Sequence, residues 1–160
     1  MNKCLFLLCF LVINAYAQTQ TCFTPGQDCR GLIVSEINKA KDTIDVQAYH
    51  ITDPAIIGAL LRADSKGVKI RIILDKTAKN ELNSYLNEDL SIEAYVDHKV
   101  RIAHNKVMII DRKELITGSY NFTKSAQDKN AENVLITNDV SALNAYENNF
   151  VKRMMVSISK

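Results

Sequence analysis

Residues 103–121 read Ala-His-Asn-Lys-Val-Met-Ile-Ile-Asp-Arg-Lys-Glu-Leu-Ile-Thr-Gly-Ser-Tyr-Asn. This stretch contains two mainly apolar runs, residues 106–110 and 114–117, each of a length typical of a β-strand. The short polar segment 111–113 between them is a turn signal. The stretch therefore predicts two neighbouring strands.

Polar side chains mark the ends of these two strands. His104 and Lys106 are two residues apart, so on a strand they point the same way, about 7 Å from each other. An imidazole beside an ammonium group suits an anionic phosphate substrate. Ser119 and Asn121 repeat this spacing and can donate hydrogen bonds to phosphate oxygens. Asp111 is an odd number of residues from His104, so we expect it on the opposite face, in a supporting role.

Strand and helix patterns alternate along the rest of the chain. Further strands are predicted over residues 43–49, 68–74, 92–96 and 133–137. Helices are predicted over residues 32–40, 53–67 and 76–86, and a last helix begins at Asp139 or Ser141 as its cap. The alternation predicts a single α/β domain with a mixed β-sheet flanked by helices on both faces.

The first seventeen residues have the layout of a signal peptide. Lys3 is followed by an unbroken apolar run over residues 4–13 and by Ala15-Tyr16-Ala17, a small-residue cleavage site. The run is shorter than the roughly 20 residues that span a bilayer. An uncleaved anchor or a buried helix is the alternative. We expect cleavage near Ala17, a domain over residues 18–160 without stable membrane insertion, and a periplasmic or secreted location.

Two cysteines remain beyond that segment. Cys22 and Cys29 flank a Pro-Gly turn, which can bring their sulfur atoms together. In an oxidising compartment a disulfide is expected, whereas a zinc site or a redox pair would need other ligands or tighter spacing.

Charge alone does not identify a partner. The chain of 160 residues has a formal net charge of +2, which produces no strong overall field. The local cluster of Lys99, Arg101 and Lys106 is of more interest, because it lies beside His104.

The pattern His104-x-Lys106-x4-Asp111-x6-Gly118-Ser119-x-Asn121 resembles the HKD signature of the phospholipase D superfamily. The resemblance is closest to its small single-motif members, the secreted bacterial endonucleases of the Nuc type. It extends to residues 22–25, 44–49 and 67–71 and implies a phospholipase D-like fold.

The resemblance also implies a role for each site residue. His104 would be the nucleophile that forms a covalent phosphohistidine. Glu132 would orient that histidine. The phosphate would be bound by Lys106, Ser119 and Asn121. The catalytic residues would be His104, Lys106, Asp111 and Glu132.

One residue departs from the family pattern. His50 stands where these nucleases more often carry serine. It is interpreted either as a substrate contact or as a surface histidine.

The expected function is hydrolysis of nucleic-acid phosphodiester bonds in DNA, and in RNA as a further substrate. The alternatives are a phospholipid (cardiolipin-type) diesterase and a catalytically silent nucleic-acid-binding protein. The chain has one His-x-Lys, so we expect a homodimer in which two His104 side chains share one site. The motif lacks a carboxylate cluster, so neither a metal nor another cofactor is expected.

Overall fold

The chain folds around one mixed β-sheet in the computed structural model, which describes residues 17–81, 83 and 90–159. The elements in chain order are β1 (Thr19–Thr24), α1 (Cys29–Lys39), β2 (Thr43–Ala48), α2 (Pro54–Ser65), β3 (Lys69–Asp75), β4 (Glu93–Asp97), β5 (Lys106–Ile110), β6 (Glu114–Gly118), α3 (Lys124–Asp128), β7 (Glu132–Thr137), α4 (Val140–Val156) and β8 (Ile158–Ser159).

The predicted mixed sheet is confirmed. Within the described residues it has the strand order β1-β7-β6-β5-β2-β3-β4-β8. The neighbours β2, β3 and β4 are parallel, and the remaining pairs are antiparallel. Ala48 pairs with Lys106, so the residues that follow β2 lie beside those that precede β5. This register brings the two ends together at one edge of the sheet.

Helices cover both faces of the sheet, as predicted. The larger apolar core joins one face to α1, α2 and α3. On the other face, Ile73, Val107 and Ile109 pack in a second cluster with Leu143 and Phe150 of α4. Strands β2 and β5 are therefore buried on both sides, which makes their ends a rigid support for a site.

Two helix boundaries follow from capping. The carboxylate of Asp53 accepts a hydrogen bond from the Ala55 N–H, and Pro54 is the first residue of α2. Asp139, one of the two predicted caps, accepts from the Ala142 N–H at the start of α4.

The helix predicted over residues 76–86 is not formed in its described part. Residues 76–81 form consecutive turns, and residues 82 and 84–86 lie outside the described residues. The Asp75 carboxylate accepts from both the N–H and the hydroxyl of Thr77, at 2.8 and 2.6 Å. Such a local side-chain bond competes with helix formation.

The predicted disulfide is confirmed. Cys22 of β1 and Cys29 of α1 are joined with an S–S distance of 2.05 Å. The predicted signal peptide falls largely on residues 1–16, which lie outside the described residues. Among the helices that are described, none combines the length and apolar character needed to cross a membrane.

Candidate active site

His104 lies two residues before β5, and its side chain is exposed. The backbone on either side of it is held firmly. The Ala103 N–H donates to the buried Asp75 carboxylate at 2.6 Å, and the Asn105 carbonyl accepts from the Tyr49 N–H at 3.0 Å. The imidazole lies with its ring centroid 4.6 Å from that of Tyr49. Residues at the ends of β2 and β3 thus position an exposed imidazole.

Lys106, the first residue of β5, lies beside His104 and is only 6% exposed. Its ammonium group donates to the His104 carbonyl at 2.6 Å and lies 5.2 Å from the centroid of the Tyr49 ring. His104 and Lys106 thus share one aromatic neighbour. Tyr49 was not singled out from the sequence, although it ends one of the segments that resemble the family.

The electrostatics of this pair favour nucleophilic chemistry. Burial lowers the pKa of Lys106 to about 8, and the negative charge of Glu132 acts in the opposite direction. Partial desolvation of the ring, the Lys106 charge and electrostatic repulsion from His50 lower the pKa of His104, while the Asp75 charge opposes that change. A lowered histidine pKa leaves the imidazole neutral, and therefore nucleophilic, over a wider range of acidic pH.

Ser119 and Glu132 form a connected pair at the ends of β6 and β7. The Ser119 hydroxyl donates to the Glu132 carboxylate at 2.5 Å and accepts from the Asn133 N–H at 3.0 Å. The other Glu132 oxygen accepts from Asn130 at 2.9 Å. The Glu132 carboxylate thus bonds Ser119 and Asn130, and within the described residues it has no hydrogen bond to His104. An orienting role for Glu132 stays a prediction.

Gly118 allows these strands to approach closely. It has a φ of +150°, and a Cβ atom there would lie 2.2 Å from the Asn133 carbonyl oxygen. Asn121 lies just beyond, with its Oδ1 atom buried and without a hydrogen-bond partner within the described residues.

The first residue of β7, Glu132, is held by a residue that lies next to the disulfide. Thr24, between Cys22 and Cys29, donates its hydroxyl to the carbonyls of Ala126 and Asn130 at 3.0 and 2.9 Å. The same hydroxyl accepts from the Glu132 N–H at 3.1 Å. The disulfide-closed loop therefore holds the backbone of Glu132 in place.

Asp111 is not brought to the site. It lies at the other end of β5, with a φ of +52°, and its carboxylate accepts from the N–H groups of Lys41, Asp42 and Thr43. Burial raises the pKa of Asp111, but these three bonds outweigh it and the net pKa is lowered. These hydrogen bonds give Asp111 a structural role, because they connect the end of β5 to the loop before β2.

We expect Asp111→Ala to lower the free energy of unfolding at pH 7 by about 2–4 kcal/mol, because three backbone donors lose a charged acceptor. Turnover per folded molecule should stay within about twofold of the wild type, and Asp111→Asn should cost less. Urea unfolding and initial rates give the two quantities.

The pKa of Asp111 also predicts a pH dependence. A lowered carboxyl pKa contributes stability above its ordinary value of about 3.9, and this is lost as pH falls through the folded-state pKa. The difference in stability between the wild type and Asp111→Asn should therefore be constant from pH 7 to about pH 4 and should shrink as the pH falls further. Asp42→Asn, which removes a neighbouring exposed carboxylate, serves as the control. A loss of turnover without a loss of stability would assign Asp111 to the chemistry instead.

A basic loop leads into the site. Lys99 and Arg101 are exposed on the segment that precedes His104, and the Lys76 ammonium group donates to the Val100 carbonyl at 3.1 Å. In the part of the chain that the structure describes, no three His, Cys, Asp or Glu side chains are grouped as a metal site.

The chain is similar in sequence to a known family and to named relatives. A family model described as "Cardiolipin synthase, PLD-like domain" matches residues 33–155. A phospholipase D from Rickettsia conorii is 42% identical over 139 residues, which cover 86% of this chain and 70% of that protein. A mitochondrial cardiolipin hydrolase from Chlamydomonas reinhardtii is 30% identical over 118 residues, which cover 72% of this chain and 53% of that protein.

A solved structure is similar over almost the whole chain. The phospholipase D family member Nuc from Salmonella typhimurium superposes with a TM-score of 0.80 at 29% identity. The superposition covers 91% of this chain and 99% of that one.

Proposed function

The chain belongs to the phospholipase D-like family of phosphodiesterases, and we propose that it is an endonuclease that hydrolyses phosphodiester bonds of DNA and RNA. The observation that carries the proposal is the exposed His104 imidazole beside the buried Lys106 ammonium group, both against the Tyr49 ring. The exposed Lys99 and Arg101 favour a polyanionic substrate.

The proposed reaction has two steps. The neutral His104 ring attacks phosphorus, a P–N bond forms, and the P–O bond to the leaving alcohol breaks as that oxygen takes a proton. Water then attacks phosphorus, loses a proton to a base, and displaces His104. Lys106 and Asn121 donate hydrogen bonds to the non-bridging oxygens, where negative charge increases in the transition state, and Ser119 joins them when its hydroxyl turns from Glu132 to the phosphate.

The proton in the first step needs a donor, and we assign it to His104 of a second subunit. A two-fold axis places one copy of a surface patch against its own copy, so two imidazoles can share one site. Because two such rings repel each other's positive charge, one is neutral while the other is protonated.

A heterodimer tests this arrangement. Wild-type and His104→Ala chains with different tags are co-expressed, and the mixed dimer is purified by both tags. If the site is shared, the mixed dimer should lose activity by at least about a hundredfold, because an acid–base partner contributes about 10²–10⁴. Half the wild-type activity would show that each subunit works alone.

The second candidate is a phospholipid diesterase. It is favoured by the similar proteins named phospholipase D and cardiolipin hydrolase. The same chemistry at phosphorus serves either backbone, so the two candidates differ in what the surface around His104 binds.

Parallel digests distinguish the two. Plasmid DNA, RNA and cardiolipin vesicles are each incubated with the wild type and with His104→Ala, in excess EDTA. We expect the wild type to cleave the nucleic acids with the chelator present and to leave cardiolipin largely intact. Faster cleavage of cardiolipin would favour the lipid substrate, and complete loss in EDTA would contradict a metal-independent mechanism.

The proposed location is outside the cytoplasm. The Cys22–Cys29 disulfide supports an oxidising compartment, and we propose that residues 1–17 are removed on export. Mass spectrometry of the purified mature protein identifies the residue at which it begins.

A further inference from the structure

A second histidine lies at the edge of the site, and the mechanism above gives it no task. His50 follows Tyr49 directly, and the two ring centroids are 4.1 Å apart. Its side chain is 33% exposed, so part of the ring is accessible from solvent.

Glu81 holds this ring in place. One carboxylate oxygen bonds Nδ1 of His50, and the other accepts from the Ile51 N–H at 2.9 Å. An ionised carboxylate only accepts hydrogen bonds, so Nδ1 carries the proton. Within the described residues, the Nε2 atom has no hydrogen-bond partner. An imidazolium held in this way presents its Nε2–H as a donor that the bond to Glu81 leaves free.

The position of His50 relates it to the reacting groups. The Tyr49 ring contacts the imidazoles of both His50 and His104 and lies under the Lys106 ammonium group. His50 is therefore separated from the nucleophile by one aromatic ring. A nucleic-acid strand bound with one phosphate at His104 carries further phosphates close by on either side.

We propose that His50, held by Glu81, is a substrate-binding residue that contacts a phosphate next to the scissile one. The inference rests on the proposed nuclease function and specifies its substrate class as strands with consecutive phosphodiesters. Within the described residues, the charged and titratable groups that interact with the His50 ring are Glu81 from the turns after β3 and His104 from the segment before β5.

Two substrates separate this contact from the chemistry. An oligonucleotide offers neighbouring phosphates, whereas bis(4-nitrophenyl) phosphate has a single phosphodiester. At pH 6, His50→Ala should raise KM for the oligonucleotide about tenfold, as expected for the loss of one charge-assisted bond. Its kcat for the oligonucleotide and both constants for the small diester should stay as in the wild type.

His50→Lys keeps a positive charge at this position but removes the imidazole ring that Glu81 holds. The KM of the lysine variant for the oligonucleotide should lie nearer to the wild-type value than that of His50→Ala does, because a cation remains at this position. His98→Ala, which removes an exposed histidine from the loop before the site, is the matched control.

The outcomes are distinct. An equal loss on both substrates would mean that His50 acts on His104 through Tyr49, and no change on either would remove it from substrate binding. Each result overturns the inference while leaving the nuclease function intact. If the wild type cleaves the small diester but no nucleic acid, both proposals fail.

Discussion

Replacing His104 with alanine should reduce phosphodiester cleavage by at least about a thousandfold, because the variant loses the atom that forms the P–N bond. The fold should be unaffected, since the side chain is exposed and the segment is held through the backbone of Ala103 and Asn105. Initial rates on plasmid DNA and thermal unfolding of the same preparations measure the two properties.

The covalent intermediate makes this prediction specific to a nucleophile. An oligonucleotide labelled at one end or the other is mixed with the wild type and quenched in denaturant. Labelled protein should appear with one of the two labels, which also identifies the strand end that keeps the phosphate. His104→Ala should give no labelled protein, and His98→Ala should behave like the wild type. A labelled band that persists in His104→Ala would assign the nucleophile to another residue.

The central strands could be predicted from the sequence because their pattern is local. Apolar runs bounded by turn signals indicated β2, β3, β5, β6 and β7 and, through their alternation with helices, the layered fold. Elements outside these central strands were harder to predict from the sequence. Strand β1 has the sequence Thr-Gln-Thr-Cys-Phe-Thr, and α3 has five residues of which only Ala126 is buried. Neither is long or apolar enough for a clear periodic signal.

The candidate site was predictable in part for the same reason. The two-residue spacing of His104 and Lys106 predicted that the two act together. The structure brings both against Tyr49, although His104 lies just before β5 and not on it. The contacts that complete the site join distant parts of the chain. Glu81 meets His50 across 31 residues, and Ser119 meets Glu132 across 13. Pairings of this kind depend on the sheet order, which no local pattern specifies.

Lys106 should determine how substrate binding changes at alkaline pH. Its pKa is lowered to about 8 by burial, so the ammonium charge that pairs with phosphate is lost well below the ordinary range for lysine. Lys106→Ala should lower kcat by about 10²–10³, as for the loss of one transition-state donor.

In the wild type, the pair of His104 rings predicts a bell-shaped profile of rate against pH in the weakly acidic to neutral range. Because Lys106 loses its charge above about pH 8, kcat/KM should fall more steeply there.

Binding to an inactive background isolates the lysine from the histidine chemistry. With His104→Ala, the Kd for an oligonucleotide should rise about tenfold for each pH unit above 8, because only the charged form of Lys106 binds phosphate well. Adding Lys106→Arg should abolish that rise, since a guanidinium stays charged throughout the range. A Kd that is constant from pH 6 to pH 10 with Lys106 present would show that its charge does not support binding. A rate plateau from pH 4 to pH 10 in the wild type would contradict the paired histidines as well.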